Sequence, residues 1–312
     1  MKSRKRKFYR DIINHCYQRG ADGIVLFYSV SDHLVYFTTY CLLAKKHNVK
    51  VLSLCQMPDH VHDTVVVKKV EQLSCFKQEV NSRFSRMQNT FCHWEESVFE
   101  SPFGSAPKLG SKKARSNLIY VGNNPVERQL VAKAEDYQWN YLAYAKSSHP
   151  FSEELVIRKC RWPMKNAIKE VKSQYTRGEP MTFASLKRLF QPLTLTEKRQ
   201  LTDFIIDTYN VIDYEEAIRY FDTYEDMLAS MHADTGSEHD LNEITLGRSD
   251  ACFSQFASLL LKDGRFNDIH EVLSLPKLER AELFMQLRER TEAMSEQIAH
   301  YLRLPLGKIR EK

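Results

Sequence analysis

The residues VKVLSLCQMPDHVHDTVVV, Val49 to Val67, form two β-branched apolar runs separated by Met57, Pro58 and Asp59. Proline fits a corner far better than a central strand, so the runs read as neighbouring antiparallel strands joined by a tight turn. Upstream, GIVLFYSV from Gly23 is short and apolar and reads as another strand. Asp32 is placed to cap a helix from His33 to Lys46, where Leu34, Phe37, Cys41 and Ala44 recur at helical spacing and Asn48 closes the element. A second helix is expected from Val70 to Met87, with Leu73, Phe76, Val80 and Phe84 on one face to cover the sheet.

From Glu100 to Arg115 the prolines and glycines of SPFGSAPKLGSKKA predict a mobile loop, and helix resumes near Asn117. Beyond Pro150 the periodicity is helical only, over Ala167–Tyr175, Phe183–Phe190, Thr196–Tyr209 and Tyr214–Met231. His232 to Glu243 lacks apolar periodicity and reads as a linker to a last helical unit ending at Lys312. The expected division is a mixed domain over 1–150, a helical extension over 151–231 and a helical unit over 240–312. Within that unit, SEQIAHYLRLPLGKIREK offers Ser295 as a cap, Ile298, Ala299 and Leu302 inward, and a turn near Leu304–Pro305. That pattern fits either a helix-turn-helix with a very short recognition helix or an ordinary helical hairpin, and the shortness favours the hairpin.

The chain has 312 residues, 43% of them hydrophobic, enough for one sizeable core with a smaller one attached or for two to three compact units. No apolar run approaches a membrane span, and MKSRKRKFYR is too basic for a secretory signal, so a cytoplasmic protein is expected. The cysteines are scattered with no C-x-x-C pair, which reads as buried free thiols rather than a zinc or redox site. The net charge of +5 is uneven: Lys2, Arg4, Lys5, Arg6, Lys7 and Arg10 form one basic cluster, and Lys108, Lys112, Lys113 and Arg115 another. Lys5, Arg6, Lys7, Lys112, Lys113 and Arg115 are the candidate DNA contacts; solvated tails and loops would carry the same charges.

His60 and His62 alternate with Val61 on a strand, so both imidazoles project from one face. That is a metal-ligand geometry, although an H-x-H pair also arises on polar surface strands. In NLIYVGNNPVERQLV, Tyr120 and Asn124 stand at i and i+4 and share a helix face. Two imidazole nitrogens and one amide oxygen suit Mg²⁺ or Mn²⁺ with positions left open for a phosphate oxygen. Taken without the histidines, Tyr120 equally fits a half-buried core residue and Asn124 a turn residue before Pro125. Trp139, Tyr141 and Tyr144 fit base stacking or, better, packing on the sheet.

MPDHVH, followed by IYVGNNPVERQLV and then DYQWNYLAY, resembles the motif series of the single-tyrosine HUH transposases, especially the REP-associated tyrosine transposases. The resemblance covers about Gly23 to Tyr144. It implies an α+β fold in which a central antiparallel sheet with a ferredoxin/RRM-like core is covered by helices, here with an all-α C-terminal extension. It also implies Tyr120 as nucleophile, His60, His62 and Asn124 as metal ligands, and action on single-stranded or hairpin DNA, commonly as a homodimer. Asp63 departs from the pattern, standing where an apolar residue usually continues the strand, and the HWEESVFESPFGSAPKLGSKKA segment follows it only loosely. The implied activity is metal-dependent nicking and strand transfer through a 5′-phosphotyrosine, which needs no nucleotide cofactor; in keeping, no P-loop motif is present. A domesticated, non-cleaving DNA-binding regulator of the same fold is the alternative, and a small-substrate phosphoesterase lacks the extra carboxylates such sites carry.

Overall fold

In the computed structural model the described residues are 8–233, 249–262 and 264–305. They form an α+β structure around a four-stranded antiparallel sheet in the order β2-β3-β1-β4. The strands are β1 (Ile13–Arg19), β2 (Lys50–Gln56), β3 (His60–Val66) and β4 (Gly104–Lys108). The two runs flanking Pro58 pair antiparallel as expected, with a register shift between Val51 and Ser53.

The GIVLFYSV segment is not a strand. Its Val25, Leu26 and Phe27 are buried, but the backbone forms no ladder. Leu26 and Phe27 both donate to Pro58 O, at 2.7 and 3.1 Å. The central position belongs instead to β1, INHCYQR, which pairs with both β3 and β4. Asn14, His15 and Gln18 in that strand are buried, so no apolar alternation betrays it. The Glu100–Arg115 region likewise holds ordered structure: β4 pairs with β1, and a helix starts at Ser111. Pro107 is compatible with β4 because an edge strand bonds on one side only.

Helix α1 (Val30–Lys46) starts earlier than expected. Ser29 is its cap, and Asp32 completes the capping box as the N3 residue by accepting from the Ser29 N–H at 2.9 Å. With α2 (Val70–Cys92), α1 covers one face of the sheet through Leu34, Phe37, Phe76, Val80 and Phe84 against Leu54, Val61 and Val65. Asp63 lies on this face, fully buried, with Lys77 Nζ at 2.5 Å and Tyr40 Oη at 3.0 Å. A charge in the strand is therefore matched by a helix-borne cation rather than solvated.

Helix α3 (Ser111–Glu127) covers the other face. The extension continues as α4 (Trp162–Thr176), α5 (Phe183–Phe190) and α6 (Leu195–Tyr209), which share a core with α1. The helix expected over Tyr214–Met231 is two, α7 (Tyr214–Ile218) and α8 (Tyr224–Ala233), broken where Asp222 takes φ 71°. α8 packs over α3 and α7 against β2; Met227 and Met231 of α8, with Phe221 from the connection, cluster with Leu118 and Ile119. His232 and Ala233 end α8 rather than begin a linker; the rest of that segment lies outside the described residues.

The last unit comprises α9 (Cys252–Leu261), α10 (Ile269–Leu273), α11 (Lys277–Arg290) and α12 (Ser295–Tyr301). Its core of Phe256, Leu283, Phe284 and Ile298 also takes in Val25 and Cys92. Ser295 is the first residue of α12 rather than its cap, which is Met294, and Ile298, Ala299 and Leu302 are buried as expected. The residues after Pro305 that would form a recognition helix lie outside the described residues.

Candidate functional site

Pairing places His62 opposite Tyr17 of β1 and Cys55 of β2, His60 opposite Arg19, and Thr64 opposite His15. Directly paired residues share a face, so His15, Tyr17, Arg19, His60, His62 and Thr64 all point to the α3 side. Thr64 Oγ1 donates to Asn117 Oδ1 at 3.1 Å and fixes the rotation of α3 over the sheet. One turn on, the Tyr120 ring stands edge-on to His62, centroids 5.4 Å apart at 81°, and to His15 at 5.7 Å and 68°. One turn further, Asn124 Oδ1 lies 3.2 Å from His60 Nε2. The chain thus brings His60, His62, Tyr120 and Asn124 together, each less than 5% exposed.

Supporting side chains orient the imidazoles. Asp59 Oδ1 lies 2.5 Å from His60 Nδ1. The carboxylate accepts from the Nδ1–H and leaves the Nε2 lone pair facing Asn124. Burial would raise the Asp59 carboxyl, but His60, Arg128 and Arg19 outweigh it and hold it well below the usual range. His15 Nε2 and His62 Nδ1 are 2.9 Å apart. Burial, reinforced by the charges of His60, His15, Arg128 and Lys77, pushes His62 well below the ordinary imidazole range. A neutral imidazole is the form that binds metal.

The donor set can be tested against a divalent ion. With its proton on Nδ1, His60 presents Nε2 as an acceptor to the acceptor oxygen of Asn124, an unfavourable pair unless the carboxamide is turned or a cation lies between them. Two imidazoles and a carboxamide are three donors, which suits an ion keeping open positions. Among the described residues, no cluster of three or more His, Cys, Asp or Glu side chains is arranged to hold a metal. The candidate set therefore depends on Asn124.

No family model matches the sequence, and no curated protein matches it. One solved structure does. A REP-associated tyrosine transposase bound to a REP hairpin is similar over 45% of this chain and 81% of that chain, with TM-score 0.39 and 13% identity. At that level of likeness no residue role transfers.

Four contributors escape a reading along the sequence. His15 and Tyr17 reach the site only because β1 is the central strand, and Tyr17 lies 5.0 Å from the His62 ring and 5.5 Å from the His60 ring. Arg128 and Asp250 reach it from the end of α3 and from the last unit. Asp250 N donates to Arg128 O at 3.0 Å, and its carboxylate lies 3.7 Å from Arg128 Nη1. Burial and the nearby Asp59 charge raise Asp250 to about 6 despite Arg128. An asparagine-spacing or H-x-H search carries no signal for these long-range partners.

Of the candidate basic residues, Lys112 and Lys113 are exposed on the first turn of α3. Arg115 donates to Ser230 Oγ at 2.8 Å and lies 4.9 Å over the Phe221 ring, clasping α3 to α8. Lys5, Arg6 and Lys7 lie outside the described residues. Trp139 stacks on His33 at 4.1 Å, Tyr141 on Phe37 at 4.2 Å, and Tyr144 donates to Asp203 at 2.6 Å. These three aromatics are engaged in packing.

Proposed function

We propose that this chain is a divalent-metal-dependent enzyme that nicks and rejoins single-stranded or hairpin DNA, with Tyr120 as nucleophile. The observation that carries the reading is one face of α3 meeting one face of β3: Tyr120 against His62, and Asn124 against His60. His60, His62 and Asn124 are the residues that would hold Mg²⁺ or Mn²⁺. When bound there, the ion would neutralise charge on the scissile phosphate.

A phenol with an ordinary pKa of about 10 is a weak nucleophile at neutral pH, so its placement beside the phosphate matters as much as its identity. Tyr120 gives up its proton as Oη bonds to phosphorus. The P–O3′ bond breaks, and the leaving oxygen takes a proton to become a 3′-hydroxyl. The 5′-phosphotyrosine retains the energy of the broken ester. A second 3′-hydroxyl then attacks phosphorus, releases Tyr120 and reseals the strand without a nucleotide cofactor. Asp59 and His15 serve as positioning residues for the two imidazoles.

A second reading has its own observation. His60, His62, Tyr120 and Asn124 are all buried, which also fits a domesticated regulator that binds DNA without cutting it. End-labelled hairpin oligonucleotides with single-stranded flanks, incubated with Mg²⁺, Mn²⁺ or EDTA, separate the two. The enzyme gives metal-dependent fragments with extendable 3′-hydroxyl ends. Retained binding with no cleavage in either metal, and no loss of binding on His60→Ala, leaves the regulator.

A further inference from the structure

A cleft of about 1060 Å³ opens between the C-terminal half of α2, the start of α5 and α10. It lies on the layer of helices opposite α3, away from Tyr120. On α2, Arg83, Arg86 and Phe91 line it, and Phe183 and Lys187 of α5 face them. Phe91 and Phe183 stack with centroids 4.6 Å apart and planes 7° from parallel, and Phe91 keeps part of its surface open.

The charges in the cleft are unequally engaged. Arg83 is held by Glu79 at 2.7 Å. Arg86 and Lys187 are exposed, and Arg86 bonds only weakly to its own helix, at Ser82 O. Neither has an ion-pair partner among the described residues. Two acids also line the cleft on the α10 side: Asp268 lies 2.7 Å from His270 Nδ1, and Glu271 Oε2 accepts from the Asn267 N–H at 2.9 Å. His270 also reaches Asp32 at 3.0 Å and is held protonated by the two carboxylates against its burial.

We propose that this cleft binds single-stranded nucleic acid, with backbone phosphates on Arg86 and Lys187 and a base on the open side of the Phe91–Phe183 pair. Free cations beside a flat aromatic platform are the combination that single strands use, because every base has a stacking face and every nucleotide a phosphate. An acidic peptide would satisfy the cations and leave the platform unused. The cleft also lies at the His60 end of the sheet. Gln88 of α2 donates to Leu26 O at 2.7 Å, and Leu26 N donates to Pro58 O, two residues from His60. The proposal deepens the single-strand reading above, but binding here requires no cleavage.

The test uses the full-length protein in EDTA, where no cleavage occurs, and the fluorescence anisotropy of a labelled oligothymidylate with no hairpin. Arg86→Glu combined with Lys187→Glu is compared with Lys169→Glu combined with Arg199→Glu, exposed positions outside the cleft that change net charge equally. The cleft pair is expected to weaken binding about tenfold and flatten its salt dependence, and the control pair to change it less than about twofold. Equal losses in both pairs, or none in the cleft pair, overturn the proposal. So does competition by thymidine monophosphate as effective as that of the strand, which marks a nucleotide pocket. Normal binding by the cleft variant alongside a Tyr120 adduct sinks only the cleft; lost binding with no adduct in any protein sinks only the enzyme.

Discussion

The Asp59 carboxylate sits 2.5 Å from His60 Nδ1, on the ring edge opposite Asn124. This contact decides which imidazole nitrogen is free. Asp59→Asn keeps the shape of the side chain and removes the charge that holds the Nδ1 proton. Mn²⁺ affinity of the folded variant, measured by titration calorimetry, is expected to fall about 10- to 100-fold. An unchanged affinity would show that Asp59 does not orient a ligand.

Thr64 and Asn117 join β3 to α3 one turn before Tyr120. Asn117→Ala leaves the Thr64 hydroxyl buried without this acceptor and is expected to cost about 1 to 3 kcal/mol in chemical denaturation. The larger effect should fall on cleavage, because the same bond sets the rotation that presents Tyr120 and Asn124. A variant that loses stability but cleaves at the parent rate would separate the two roles.

Asp63 and Lys77 form a fully buried pair on the opposite face of the sheet from His62. Lys77→Met strands the carboxylate and is expected to destabilise the fold by about 3 to 5 kcal/mol. Mn²⁺ affinity of the folded protein should change little, since the side chain of Asp63 points away from the site and Lys77 is the weakest of the charges acting on His62. A loss of metal binding in the folded variant would contradict that separation.

His270 ties the last unit to the start of α1 through Asp32, and burial is outweighed by Asp32 and Asp268, which raise it to about 10. A raised histidine contributes stability that is complete below its unfolded pKa of about 6.5 and is lost as pH rises through 10. Denaturation midpoints of the parent should therefore decline between those values, and His270→Gln should flatten that decline. Parallel curves for the two proteins would remove His270 from the account.

The site was legible where one element carries its own period. The alternation of His60, Val61 and His62 and the i, i+4 spacing of Tyr120 and Asn124 fix faces without knowledge of the partner. What those faces meet was not legible. The central strand INHCYQR buries Asn14, His15 and Gln18, so the polarity that signals a surface segment belongs here to the middle of the sheet. GIVLFYSV misleads in the opposite sense: apolarity reports burial, and its backbone bonds to Pro58 rather than to a neighbouring strand. Asp250 enters the site from far along the chain, through a contact with Arg128 that no local pattern encodes.

If Tyr120 is the nucleophile, it becomes covalently joined to DNA during the reaction. Intact-mass spectrometry of the protein after reaction with Mn²⁺ and a hairpin substrate, followed by peptide mapping, tests it directly. A mass increase equal to the 5′-phosphorylated fragment is expected, located on the peptide containing Tyr120, absent in EDTA and absent in Tyr120→Phe. A metal-dependent adduct of the same mass on Tyr120→Phe, or one mapped to Tyr17, would contradict it.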